Sequence, residues 1–291
     1  MPPAYSGRFK GNVPAVPDAA SPRDPVPAAP SAKSLAPVVK ALAPVRRIIK
    51  PKFYGIEHVP QGGALLVGNH TLNVVFDLMF LIAEFIERGI VVRVLGDHAL
   101  FRIPVSRQLL TACGVVPGTR ANTRELMRRG DLIMVFPGGA REMAKRKGER
   151  YQLIWKHRLG FAAMAIEGRY PIVPFATMGA EDALDIVIDT DNPVMAPARK
   201  LAEKLLNVEA PPIVRGIGLT PIPRPERLYF WFGEPITTLQ YGGVADEHNA
   251  RELRARAAAS IEGGLDFPFA EREKDPQRSL LKRLTSRSDS E

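Results

Sequence analysis

Residues 64–77 read Ala-Leu-Leu-Val-Gly-Asn-His-Thr-Leu-Asn-Val-Val-Phe-Asp. The opening apolar run does not alternate and stops at a glycine, the pattern of a short strand buried on both faces. The window that follows, Leu72–Arg88, is apolar with scattered charges and reads as a helix. The junction therefore puts His70 at the carboxyl end of a strand. In open α/β sheets that end is where ligands bind.

The alternation continues along the chain. Further apolar runs bounded by Gly, Pro, Asn or Asp occur at Ile90–Leu95, Gly114–Pro117, Leu132–Phe136, Ile172–Met178 and Leu228–Phe232. Helical windows fall at Ala99–Ala112, Arg120–Arg129, Trp155–Glu167, Ala196–Leu206 and Ala245–Glu262. This order predicts an α/β fold with a mostly parallel central sheet flanked by helices. Residues 1–44 hold ten Pro and ten Ala and are expected to be a disordered tail. Residues 45–270 form the single expected domain. The charged, Ser-rich stretch 271–291 reads as a tail with one short helix within Arg278–Leu284.

Of 291 residues, 45% are hydrophobic, which is enough for a sizeable core and excludes a wholly disordered chain. The lone Cys113 has no internal disulfide partner and fits a reducing compartment. The longest apolar run, about Val74–Ile86, falls short of the roughly 20 residues that span a bilayer. No secretory leader pattern is present, so the expected location is cytoplasmic, with peripheral contact on the inner face of a membrane. The net charge of +9 concentrates in residues 1–50 and in 141–158. Lys145–Arg158, carrying Tyr151, Leu153, Ile154 and Trp155 among its charges, and Arg46–Lys52 are the expected lipid-adhesive stretches. Neither contains a nucleic-acid-binding module, and no nucleic-acid partner is expected. Oligomeric state is not legible.

A histidine at a strand's lip can act as a general base, with a carboxylate to hold its tautomer and stabilise the imidazolium. Asp77 is the nearby carboxylate. On one ideal helix the two would lie about 10.5 Å apart, so pairing requires His70 to stay off the helix, with Asn73 shaping the turn. The pairing predicts an Asp77 oxygen within about 3.5 Å of a His70 ring nitrogen; failing that, Asp97 and Glu142 are next. A second block, Pro137-Gly138-Gly139-Ala140-Arg141-Glu142, follows the strand ending at Phe136. Its glycines permit an anion-binding nest beside Arg141. Read blandly, the block is a tight turn with a surface arginine. A third, Gly114–Arg120, places Arg120 at a helix start, where anions are favoured. A fourth, Pro171–Phe175, reads as a buried strand containing Pro174. His58, His98, His157 and His248 have no ligand-like spacing. Zinc spacing, a Walker loop, a dinucleotide fingerprint and a nucleophile elbow are all missing from the sequence.

In this order the four blocks resemble the motifs of the glycerolipid acyltransferase superfamily, across about Phe53–Thr237. The resemblance implies His70 as base and Asp77 as its orienting partner. It also implies Gly114 and Arg120 in a second motif, Pro137–Arg141 in a third, and Pro171 and Pro174 in a fourth. Six residues separate His70 from Asp77 where the common motif has four, and Pro-Gly-Gly-Ala replaces Pro-Glu-Gly-Thr/Ser. Gly138-Gly139-Ala140-Arg141-Glu142 instead is similar to the Gly-Gly-Ala-x-Glu of second-type diacylglycerol acyltransferases. Arg158, Gly160, Phe161, Ala165, Val173, Pro174 and Gly179 match that branch, while Arg169 and Met178 depart from it. The overall pattern resembles the phytyl ester synthase-like relatives. The implied reaction is acyl transfer from acyl-CoA or acyl carrier protein, as co-substrate, to a lipid hydroxyl such as that of diacylglycerol or a long-chain alcohol. No cofactor or metal is implied. In this reading Arg120, Arg141, Lys145, Arg146 and Lys147 hold donor or membrane phosphates, and Gly138, Gly139 or Arg141 stabilise the oxyanion. The alternatives are a lysophosphatidic acid or lysophospholipid acyltransferase, a non-catalytic lipid-binding relative, and a soluble binder of phosphate ligands.

Overall fold

The computed structural model describes residues 26–72, 74–102, 104–206 and 209–285. A seven-stranded sheet runs in the order β1-β9-β6-β2-β5-β3-β4. Its strands are β1 (Lys52–Tyr54), β2 (Leu65–Gly68), β3 (Val92–Gly96), β4 (Val116–Pro117), β5 (Leu132–Val135), β6 (Ile172–Met178) and β9 (Tyr229–Phe232). Strands β6, β2, β5, β3 and β4 are mutually parallel, β9 is antiparallel to β6, and β1 is parallel to β9. A separate antiparallel pair, β7 (Asp185–Ile188) and β8 (Ile213–Arg215), lies in the excursion between β6 and β9. The expected mostly parallel α/β sheet is thus the fold observed.

Helices cover both faces. Helix α2 (Val74–Glu87) buries Phe80, Leu81 and Phe85 on one face, beside α1 (Ala32–Ile49), α3 (His98–Phe101) and α4 (Pro104–Ala112). The other face carries α5 (Arg120–Arg128), the short α6 (Ala140–Met143), α7 (Gly160–Glu167) and the long α9 (Glu247–Lys274). There α7 is buried from Phe161 to Ile166, and Leu253, Ala257 and Ile261 of α9 pack against it. Helix α8 (Ala196–Leu206) belongs to the β6–β9 excursion, and α10 (Leu280–Thr285) follows α9. Burial on both sides explains why β2 and β6 read as unbroken apolar runs.

The domain boundaries need correction at both ends. Of the expected tail 1–44, residues 1–25 lie outside the described residues, but Ala32–Ile49 form α1. Ser31 caps its start and Arg46 pairs with Glu84 and Glu87 of α2. Before α1, the Pro27 carbonyl accepts from Arg93 of β3, and Pro30 lies against Gly114. Helix α1 therefore leaves the β3–β4 edge, crosses α2 and delivers the chain into β1 at the opposite edge. The boundary at 270 falls inside α9. Just beyond that helix, buried Asp275 accepts from the guanidinium of Arg227 and the hydroxyl of Tyr229.

Candidate active site

Three consecutive polar residues, all buried, follow β2 directly: Asn69, His70 and Thr71. Asn69 clamps the next strand by donating to the Thr177 carbonyl at 3.0 Å and accepting the Thr177 N–H at 2.8 Å. That pair of bonds fixes the end of β2 against β6. The His70 ring packs on Phe136, at the end of β5, with centroids 4.6 Å apart. Its Nδ1 is buried and has no hydrogen-bond partner among the described residues. Unpaired buried polar atoms are rare in folded proteins and call for an explanation. Burial first, then the charge of Lys145, lowers the His70 pKa to about 3, so the ring is neutral at physiological pH.

Asp77 is also buried, in the first turn of α2. Its Oδ2 accepts the Thr71 hydroxyl at 2.9 Å and its Oδ1 accepts the Leu78 N–H at 2.8 Å. Among the described residues no hydrogen bond or ion pair joins Asp77 to His70. The expected direct pairing is corrected: with six intervening residues, Thr71 stands closer to the carboxylate than the ring does. Asn73 lies outside the described residues. The fallback candidates do not hold the ring either. Asp97 caps α3 through the Ala99 N–H, and Glu142 reaches only the backbone N–H of His70, at 3.2 Å. Burial raises Asp77 and Glu142 to about 7 each.

The Pro137–Glu142 block sits beside this corner as a brace. Fully buried Glu142 ties the His70 N–H to the Ile154 N–H, the latter at 2.8 Å. A Cβ on Gly138 would stand 2.1 Å from the Glu142 side chain, so only glycine fits. Gly139, at φ 51° and ψ −145°, adopts a backbone closed to other residues and starts α6. Its N–H donates to Phe136, and the Pro137 carbonyl accepts from Arg158. Glu142 is thus a support behind His70, where a substrate contact was expected.

Several expected ligand residues are placed elsewhere. Arg141 is buried and spent on the Ala144 carbonyl and Glu149. Gly114 lies level with the start of β3, where its carbonyl accepts from Arg93. Pro174 is buried in β6 opposite Val67. Lys145, only 2% exposed, pairs with equally buried Glu181 at 2.6 Å. Arg146 pairs with Asp191, and Lys147 donates to the Val187 carbonyl. Trp155 is a core residue under Phe161. Arg46 is matched by α2 carboxylates, and Lys52 lies 3.4 Å from Asp275. In the two stretches expected to adhere to lipid, Arg46, Lys52, Lys145, Arg146 and Arg150 are therefore each matched by a carboxylate. Arg120 is different: exposed at the start of α5, it has no side-chain partner among the described residues.

Sequence reasoning missed Thr71, Asn69 and the Lys145–Glu181 pair. The first two carried a signal, since polar residues directly after a fully buried strand are held there by something.

This corner of the α/β sheet thus holds a neutral histidine, its Nδ1 without a partner among the described residues, at the carboxyl end of a central parallel strand beside two buried carboxylates. Residues 50–178, which contain it, match the Acyltransferase family, and the chain carries a domain of that family. Phytyl ester synthase 2, chloroplastic, of Arabidopsis thaliana is 30% identical over 250 residues, covering 79% of this chain and 36% of that protein. The DGAT1/2-independent enzyme synthesizing storage lipids of Mus musculus is 36% identical over 129 residues, or 44% of this chain and 39% of that one. The chain spans little more than a third of the length of these curated relatives. The crystal structure of the 1-acyl-sn-glycerophosphate (LPA) acyltransferase, PlsC, from Thermotoga maritima aligns over 80% of each chain, with TM-score 0.46 and 15% identity. No described helix is long and apolar enough to cross a membrane.

Proposed function

We propose that this protein transfers a fatty acyl group from a thioester, acyl-CoA or acyl carrier protein, to the hydroxyl of a lipid such as diacylglycerol or a long-chain alcohol. The observation that carries this reading is the unpartnered Nδ1 of His70, held neutral at the lip of β2. A neutral imidazole accepts the proton of the acceptor hydroxyl as its oxygen attacks the thioester carbonyl. The tetrahedral intermediate then expels the thiolate, which takes the proton back from the imidazolium. Asp77, held by Thr71, supplies the negative charge that offsets the imidazolium. With Arg141 and the Gly139 N–H committed elsewhere, the Gly138 N–H, which has no backbone partner among the described residues, serves as a donor to the oxyanion in this reading. Arg120, at the start of α5 and without a side-chain partner among the described residues, is the cation assigned to a phosphate of the donor.

The test is purified protein with labelled acyl-CoA or acyl carrier protein and a panel of acceptors: diacylglycerol, phytol, a saturated long-chain alcohol and lysophosphatidic acid. Ester formation with the neutral acceptors, dependent on His70, is expected. Exclusive use of lysophosphatidic acid replaces the acceptor class. Lipid binding without any thioester cleavage overturns the reading.

A further inference from the structure

The lip that carries His70 also carries exposed apolar side chains, on both sides of it. On one side lies the excursion that leaves the carboxyl end of β6 and returns into β9, both at this end of the sheet. Within it, Gly216-Ile217-Gly218-Leu219-Thr220-Pro221-Ile222 forms a loop without one ionisable residue, between Arg215 and Arg224. The loop is internally hydrogen-bonded, with Gly216 N–H to Thr220, Ile217 N–H to Ile222 and Thr220 N–H to Ile217. It is therefore a shaped projection, yet it presents Leu219 at 87%, Ile222 at 58% and Ile217 at 51% exposure. On the other side, α3 and α4 follow the carboxyl end of β3. Val105 and Leu109, one helical turn apart, are 77% and 65% exposed.

Charge accompanies the apolar groups. Between Asp97 and Glu125 the chain has four arginines and no acidic residue. Of these only Arg124 has an ion pair, with Glu167. Arg102, Arg107 and Arg120 have no side-chain partner among the described residues. Projecting leucine and isoleucine on one side of the lip, and exposed Val105 and Leu109 among unpaired arginines on the other, complement the apolar interior and anionic headgroups of a bilayer. A protein partner of matching shape would need a concave receptor for the loop, and nothing in these features selects one.

We infer that the loop 216–222, together with the outer face of α3–α4, docks this protein on an anionic phospholipid bilayer with the His70 end of the sheet facing the lipid. The inference rests on the reading of the acceptor as a lipid, and it gives that acceptor a route to His70 from within the bilayer. Strand order places β2 between the two contacts, one strand from β6 and two from β3, so His70 stands roughly 5 Å and 10 Å of sheet away from the two supporting strands.

The experiment is sedimentation of the full chain with vesicles of phosphatidylcholine containing phosphatidylglycerol. The variants are L219D/I222D, V105D/L109D and R102A/R107A. V38D/V45D, on exposed positions of α1, is the matched control. Each targeted side chain is exposed, and circular dichroism checks each fold. The wild type is expected to bind. L219D/I222D is expected to weaken partitioning more than about tenfold, since one buried leucine or isoleucine is worth roughly that much. V105D/L109D should lose less. R102A/R107A should lose binding to anionic vesicles and little of the residual binding to pure phosphatidylcholine. V38D/V45D should bind as wild type does. Wild-type binding by the loop variant, loss confined to the α1 control, or no binding by the wild type each overturns the inference. So does a concentration-dependent dimer in ultracentrifugation that L219D/I222D dissolves, since a second copy then occupies the face. Vesicle binding through this face without acyl transfer leaves the surface standing and removes the reaction. Acyl transfer with vesicle binding indifferent to the loop does the reverse.

Discussion

Two charged regions lie side by side in this protein and are built on opposite principles. Around Lys145, each charge meets its opposite: Lys145 with Glu181, Arg141 with Glu149, Arg146 with Asp191, and Arg150 with Asp185. Glu181 also accepts the Tyr151 N–H, and Tyr151 donates its hydroxyl to Asp182. Around His70 the groups are as deeply buried as Lys145 and Glu181, but among the described residues no ion pair engages Asp77 or Glu142 and one ring nitrogen has no hydrogen-bond partner. The first region is a weld between the sheet and the β7–β8 layer. The second leaves hydrogen-bonding capacity unmet, and the proposed reaction draws on it. Charge density along the sequence pointed to the first, whereas unsatisfied chemistry marks the second.

The comparison breaks most sharply at His70. His70→Ala is expected to lower turnover by about 10²–10⁴-fold with the fold retained, the usual scale for a general base. A folded variant with turnover within threefold of wild type would place the base elsewhere. Lys145→Met tests the other region, because stranding Glu181 uncompensated in the interior is expected to cost about 3–5 kcal/mol in urea unfolding. Pairing it with Glu181→Leu should recover much of the loss. If Lys145→Met is stable but cannot bind donor, the weld is a binding site after all.

A smaller effect separates the two regions by pH. The Thr71 hydrogen bond lowers the Asp77 pKa against the larger effect of burial. Activity that needs ionised Asp77 should show an acid limb near pH 7. Thr71→Val should move that limb to higher pH and cut turnover by about tenfold at neutral pH, less than the roughly 10²–10⁴-fold of the base itself because Thr71 acts only through Asp77; Thr71→Ser should restore both. The same residue sets a stability trend. Folded Asp77 keeps its proton up to about pH 7, while the unfolded chain releases it near 3.8. The folded state therefore binds more protons within that window, and Asp77 destabilises it increasingly as pH rises through the window. Asp77→Asn should accordingly gain stability relative to wild type at pH 8 and little at pH 4. The smallest effect belongs to Arg146→Ala/Lys147→Ala. These surface contacts are each worth about 0–1 kcal/mol, and vesicle binding should not change.

Much of the sheet was legible because its central strands are short apolar runs closed by turn residues. Leu65–Gly68, Leu132–Val135 and Ile172–Met178 fall within the runs read from the sequence. Strands β1, β7 and β8 were not, since they are three or four residues long and half exposed, with at most three apolar residues in a row. Helix α1 was hidden by Pro37 and Pro44, whose cost is outweighed by Ser31 capping, the Arg46 ion pairs and packing on α2. His70 was legible from its place after a strand. Its lack of a carboxylate partner was not, because one hydroxyl, Thr71, decides it. The basic segment misled because its neutralising acids, Glu181 to Asp191, lie some 30 to 45 positions further along the chain.

Among the described residues strand β1 pairs only with β9, and Arg227 holds the Lys50 carbonyl across 177 positions. During synthesis on a ribosome, the segment around Lys52–Tyr54 therefore waits for almost the whole domain to emerge before its edge of the sheet can close. Contacts of such long separation slow folding, because a large loop must close before they contribute. A nascent chain halted after α7 would have β2, β3, β4 and β5 available to pair while Lys52–Tyr54 stayed unpaired, a species for chaperones to shield. Because α1 reaches from Pro27 at one edge to β1 at the other, it can seat fully only after β9 has formed, making the helix that comes first in the described chain among the last to lock.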